Sequence, residues 1–183
     1  MEEEKTATAS AGSGHSYERE NTLVAHVLNN MTSSMRFPGI LNVDMNEITM
    51  NLVPFPRMHF LASSVAPLYS VLDVAYRGAG ARGIIESFTE TLAKENQLVS
   101  AYGSNSLYLA CGLIARGKHT DISDAKGALE KISRGIRMVN WNTEGFKLGI
   151  CEKPPPNGQD YSILALSNTT GIARTFEGML AKF

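Results

Sequence analysis

The 183-residue chain carries 17 Lys+Arg against 18 Asp+Glu, a formal net charge of -1, and 43% hydrophobic residues. That length allows one compact domain with an appendage but not two full domains, and the balanced charge argues against the basic footprint that nucleic-acid binding needs. Nor does any apolar run approach the ~18 residues of a membrane helix, so neither nucleic acid nor membrane is an expected partner.

Residues 1–16 hold almost nothing large and apolar and are expected to form a disordered leader. The opening Met1-Glu2-Glu3-Glu4-Lys5 is acidic where a secretory signal is basic and then apolar. An intracellular protein is expected, with Cys111 and Cys151 as reduced, buried thiols. From Tyr17 the pattern turns helical, because Leu23, Val24, Val27, Leu28, Met31 and Met35 recur every three or four residues. Phe37-Pro38-Gly39 stops that helix. Leu41, Met45, Ile48 and Leu52 mark a second helix, with Asp44, Glu47 and Asn51 on another face and Pro54 and Pro56 beyond its end.

His59 through Leu68 reads as an extended segment of strand character, 73–80 as a turn-rich stretch, and Ile84, Ile85, Phe88 and Leu92 as a third helix. Leu107–Ile114 is a nearly unbroken apolar run of strand length, as a strand buried on both faces requires. Asp121 or Ser123 caps a fourth helix with Ala125, Leu129 and Ile132 as its buried stripe. Alternation over Ile136–Trp141 and again over Phe146–Cys151 predicts one long strand region bent near Thr143–Gly145. Pro154 through Gly158 is a stiff loop, Tyr161–Ser167 a last strand, and Ile172, Phe176, Met179, Leu180 and Phe183 start a final helix. That stripe runs to the last residue without a Gly or Asn cap, which suggests a truncated chain. Strands alternating with helices predict an α/β two-layer arrangement.

Three usual enzyme signatures are missing: there is no G-x-x-x-x-G-K-[ST], G-x-S-x-G or C-x-x-C. His15, His26, His59 and His119 are scattered and form no metal-ligand spacing. Three features remain. Tyr17 and Asn21 share a face at the start of the first helix, offering a ring for stacking and an amide for a base edge; on spacing alone an ordinary helix start is the preferred reading. Asp44 and Glu47, at i and i+3, suit orienting a water or a hydrated cation, but on spacing alone favouring the helix dipole is the preferred reading. Finally, glycine, prolines and acids crowd FPGILNVDMNE and NLVPFPRMHF, as a closely positioned loop demands.

Arg36-Phe37-Pro38-Gly39, Leu41-Asn42-Val43-Asp44 and Asn51 through Phe60 resemble the tubulin family: the end of its core helix, the loop that touches the next subunit's nucleotide, and the helix and strand that follow. The resemblance continues through Ala66-Pro67-Leu68, Ser106 through Cys111, Trp141-Asn142 and Cys151 through Pro155, covering about Tyr17 to Phe183. Asn46-Glu47-Ile48, Met50 through Pro54, Pro67-Leu68-Tyr69 and Asn140 through Gly145 are most similar to the epsilon branch.

The resemblance implies a two-layer sandwich with a mixed four-stranded sheet and helices packed on it over 37–167, after the end of the core helix (17–36) and before the start of a C-terminal helix (168–183). It implies a GTP-binding structural protein of the microtubule cytoskeleton, cytoplasmic and at centrioles or basal bodies. Its cofactors are GTP and Mg²⁺, and its partners are other tubulin subunits and centriolar or basal-body proteins. Tyr17 then stacks on guanine and Asn21 bonds its edge. Asn42 and Asp44 reach the neighbour's nucleotide, and Glu47 is the acid that acts in trans on its GTP. The family's GGGTGSG phosphate loop is missing here, so the chain reads as a fragment expected not to turn over GTP by itself. An alternative of another class is a stand-alone, nucleotide-free interaction module. A small enzyme on this scaffold lacks a convergent nucleophile, base or metal set.

Overall fold

A computed structural model describes residues 17–68, 83–99, 101, 106–118, 120–156 and 158–183. The expected leader over 1–16, the turn-rich stretch 73–80, His15 and His119 lie outside the described residues. In chain order the elements are α1 (Glu18–Met31), α2 (Ser33–Arg36), α3 (Met45–Leu52), β1 (Ala62–Ala66), α4 (Ile84–Thr91), a short 3-10 turn at Lys94–Asn96, β2 (Tyr108–Gly117), α5 (Ile122–Gly135), β3 (Phe146–Cys151), β4 (Tyr161–Thr169) and α6 (Ile172–Leu180).

The four strands form one sheet in the order β1-β4-β2-β3. β4 runs antiparallel to both β1 and β2, whereas β2 and β3 are parallel and joined through α5, as a parallel pair requires a crossover. This is the mixed α/β sheet expected. The apolar run becomes β2, whose ten residues are all buried because it is interior to the sheet and covered on both faces.

Period-two alternation sorts the core into two clusters. Cys111, Leu113 and Ala115 of β2, Ile150 of β3 and Ile163 and Ala165 of β4 meet Phe88 of α4 and Ala125, Ala128 and Ile132 of α5. Ala110 and Ile114 of β2, Leu164 and Leu166 of β4 and Val65 of β1 meet Val43, Ile48 and Leu52 on the other side, joined by Val27 and Met31 of α1. Helices therefore lie against both faces of the sheet. Gly112 makes a close seat for α3, since a Cβ there would stand 3.0 Å from Leu52 Cδ1.

Three local expectations differ from the structure. The first helix is interrupted at Thr32, whose hydroxyl donates to the Leu28 carbonyl at 2.8 Å while that of Ser33 donates to Asn30 O at 2.7 Å. Such side-chain bonds compete with the helical ladder and bend it. The alternating stretch Ile136–Trp141 is no strand: it makes one parallel bridge, Met138 to Tyr108, and then turns. The Asn142 N–H donates to Val139 O at 3.1 Å and its side-chain amide to Leu109 O at 2.9 Å, so this turn displaces the ladder until Phe146. The expected stripe of α1 is divided too. Val27 and Met31 pack on the sheet, whereas Val24 and Leu28 are 57% and 51% exposed.

Candidate functional site

The segment between α2 and α3 is tied down at three points. Ser34 Oγ donates to Val43 O at 2.6 Å. Leu41 pairs with Ile150 of β3, its N–H donating at 3.4 Å and its carbonyl accepting at 2.8 Å. Val43 is buried beneath α3. A Cβ at Gly39 would collide with the Ile150 carbonyl, so only glycine lets the loop approach β3 this closely. In the extended backbone around buried Val43, Asn42 and Asp44 both lie exposed.

Asp44 is the N-cap of α3: its Oδ1 accepts from the Glu47 N–H at 2.6 Å. One of the helix's otherwise unpaired donors is thus satisfied, and the backbone of Glu47 is held. Ile48 and Leu52 are buried, which fixes the rotation of α3 on the sheet. Glu47 Oε2 is buried and faces Lys147 Nζ of β3 at 3.0 Å. Ser34, Met35, Asn42, Val43, Asp44 and Glu47 line one open groove of about 490 Å³. Three of the five residues singled out in the sequence therefore converge here.

Tyr17 and Asn21 do not join them. They lie at the far end of α1, whose 14 residues span roughly 21 Å. Tyr17 is 68% exposed, its carbonyl accepts from the Asn21 N–H at 2.8 Å, and Asn21 is exposed as well. The pair presents an aromatic face and an amide to one side of the helix start, and among the described residues no aromatic ring packs on that of Tyr17.

Two charged residues with contacts remote in sequence were not anticipated. Arg116, in the buried β2, donates from Nη2 to Pro154 O at 2.8 Å and from Nε to Lys153 O at 3.1 Å. Its Nη1 reaches Asn29 O and Asn30 Oδ1 at 3.5 Å each. It thereby clamps α1 and the proline loop to the sheet. Burial holds its guanidinium below the usual value, with Arg36 pushing the same way and Cys151 opposing. Beside it, burial and then the Arg116 charge depress the His26 imidazole, which contacts Asn30 Nδ2 at 3.1 Å and Ser162 Oγ at 3.3 Å. Lys147 is the other. An arginine just beyond the apolar run, at the end of the strand it forms, and a lysine between Phe146 and Leu148 were the available signals.

Cys111 and Cys151 are free and buried, and burial pushes the Cys111 thiol up to about 11 against the opposing contact with Ser167. Asn30 and Asn168, each in an N-x-[ST] pattern, are interior: Asn168 Nδ2 donates to Leu52 O at 2.8 Å and Met58 O at 2.7 Å, fastening the end of α3. Past that helix, Phe55 and Trp141 form an exposed edge-to-face pair with centroids 5.7 Å apart. Among the described residues no helix is long and apolar enough to cross a membrane.

The fold and groove define an α/β domain that presents an acid-bearing loop and helix at its surface. Residues 56–181, more than half of the chain, match the family described as Tubulin C-terminal domain. Tubulin epsilon chains of Mus musculus and Homo sapiens are each 42% identical over 167 residues, covering 91% of this chain and 34% of theirs. The tubulin alpha-B chain of Neurospora crassa is 39% identical over 176 residues, 91% of this chain and 38% of that one. The chain belongs to the tubulin family, is more similar to these epsilon chains than to that alpha chain, and spans about a third of the length of each of these relatives.

Proposed function

We propose that this chain forms one face of a head-to-tail contact between tubulin subunits, with the groove at the start of α3 lying over the neighbour's GTP and Glu47 assisting its hydrolysis in trans. The observation that carries this reading is the convergence of Asn42, Asp44 and Glu47 on one open groove. The exposed Phe55–Trp141 pair beyond α3 supports it, because exposed aromatic rings of this kind favour a protein contact. A head-to-tail contact is heterologous and extends into open filaments.

GTP and Mg²⁺ held by the neighbour supply the phosphoryl group and neutralise its developing charge. Within this chain the Glu47 carboxylate accepts a hydrogen bond from the attacking water, the Asn42 amide offers donors to nucleotide oxygens, and the Asp44 cap keeps Glu47 in place. Catalysis on this side is chiefly placement. Tyr17 and Asn21 form a separate guanine-binding pair, and their exposed ring and amide suit a base. The sequence does not contain the GGGTGSG phosphate loop, so this pair depends on phosphate contacts from outside the chain and the chain alone does not turn over GTP. Similarity to the epsilon chains supports a role in the microtubule cytoskeleton with other tubulin subunits as partners; action at centrioles or basal bodies, with centriolar proteins as further partners, is part of the same proposal.

The test is phosphate release from GTP-loaded αβ-tubulin with and without the chain. The chain accelerates release, and Glu47→Gln removes about 100-fold of that acceleration, the scale of a positioned general base, without weakening co-sedimentation. Acceleration unchanged by Glu47→Gln removes Glu47 from the mechanism.

A further inference from the structure

We propose that Lys147 is a positioning residue that aims the Glu47 carboxylate for the trans reaction; this rests on the reading above and adds to it the group that orients the acid. β3 is the edge strand of the sheet. Phe146, Leu148 and Ile150 face the α5 side, so Lys147 and Gly149 face α3. There they line a void of only about 10 Å³ with Val43, Ile48 and Leu52. A lysine at such a position lays its apolar stem along the core and carries the ammonium out to the edge. The ammonium emerges against Glu47 Oε2 at 3.0 Å.

This contact divides the carboxylate into two unequal oxygens. Oε2 is buried beside the cation, within ion-pair range but without a hydrogen bond to it, while the Glu47 side chain as a whole is still 45% exposed and lines the open groove. Oε1 is therefore the oxygen left for a water from the groove. A free glutamate on an eight-residue helix samples several rotamers. An ion pair to a lysine whose stem is packed on a strand selects one, and restricting the acid before the neighbour arrives is what placement catalysis needs. As a half-exposed pair, at 33% and 45%, it adds little to folding stability, so its effect is on direction.

The test uses the chain with GTP-loaded αβ-tubulin and three variants, Lys147→Met, Lys147→Arg and Glu47→Gln, reading maximal phosphate release and the half-saturating chain concentration separately. Lys147→Met keeps an unbranched stem and loses the charge; we expect maximal release to fall about 10-fold, within the loss a misplaced catalytic group shows, at an unchanged half-saturating concentration. Lys147→Arg restores most of the rate. A merely structural role would lower the melting temperature or raise the half-saturating concentration and leave the maximal rate intact. Full maximal release with Lys147→Met, while Glu47→Gln abolishes acceleration, overturns the positioning role and leaves the trans reading standing. Acceleration insensitive to Glu47→Gln overturns both. Should Lys147→Met fail to fold, Lys147→Gln decides by the same two readouts.

Discussion

Asp44 offers two roles that substitution separates. As the N-cap of α3 it accepts from the Glu47 N–H at 2.6 Å, and as a carboxylate in the groove it offers charge to a neighbour's nucleotide and its metal. Removing a side-chain cap costs about 1 kcal/mol, within a range of roughly 0.5–2. In a chain of this size that lowers the melting temperature by about 2–4 °C. Asn caps a helix nearly as well as Asp, so Asp44→Asn retains the wild-type melting temperature and Asp44→Ala does not. Loss of the cap also frays the first turn of an eight-residue helix, and Glu47 sits in that turn. Asp44→Ala therefore slows trans hydrolysis through Glu47, whereas Asp44→Asn slows it only if the charge itself is used. Thermal melts by circular dichroism and phosphate release from GTP-loaded αβ-tubulin supply the two readouts. A melting temperature for Asp44→Asn as low as that for Asp44→Ala would refute the capping argument, because charge alone would then account for the stability.

Further outcomes follow from the packing beneath the groove. Leu52 is fully buried against Gly112, and Leu52→Ala should cost about 2–5 kcal/mol in denaturant titrations, as truncation in a tight core does; a loss under about 1 kcal/mol means that α3 is not anchored there. His26 is held below its ordinary value by burial and by Arg116. The unfolded chain therefore takes up the proton first, and stability is lost as pH falls below about 6.5. Melting temperature should drop between pH 7 and pH 5 more in the wild type than in His26→Gln, and equal slopes refute that assignment.

Much of the fold was legible because local pattern and tertiary role coincide. The run around Leu109–Ile114 had to be an interior strand, and Ile48 and Leu52 had to face a core. The break at Thr32 and the turn at Val139–Asn142 were hidden because hydroxyl and amide side chains take over backbone groups, a competition invisible to apolar periodicity. The groove was legible only in part. Acids at i and i+3 fit capping and catalysis alike, and the structure divides them: Asp44 caps while Glu47 meets a lysine from a strand remote in sequence. Arg116 escaped notice for the same reason, since its hydrogen-bond partners lie in α1 and the proline loop and no spacing along β2 reveals them.

The most direct test of the central claim is a cryo-electron-microscopy structure of this chain bound end-on to GTP-loaded αβ-tubulin. The account predicts that the groove of Asn42, Asp44 and Glu47 faces the neighbour's nucleotide, with Glu47 Oε1 one water away from its terminal phosphate and Oε2 still on Lys147. A complex in which this groove is left open to solvent, with the nucleotide covered by another surface of the chain, contradicts it.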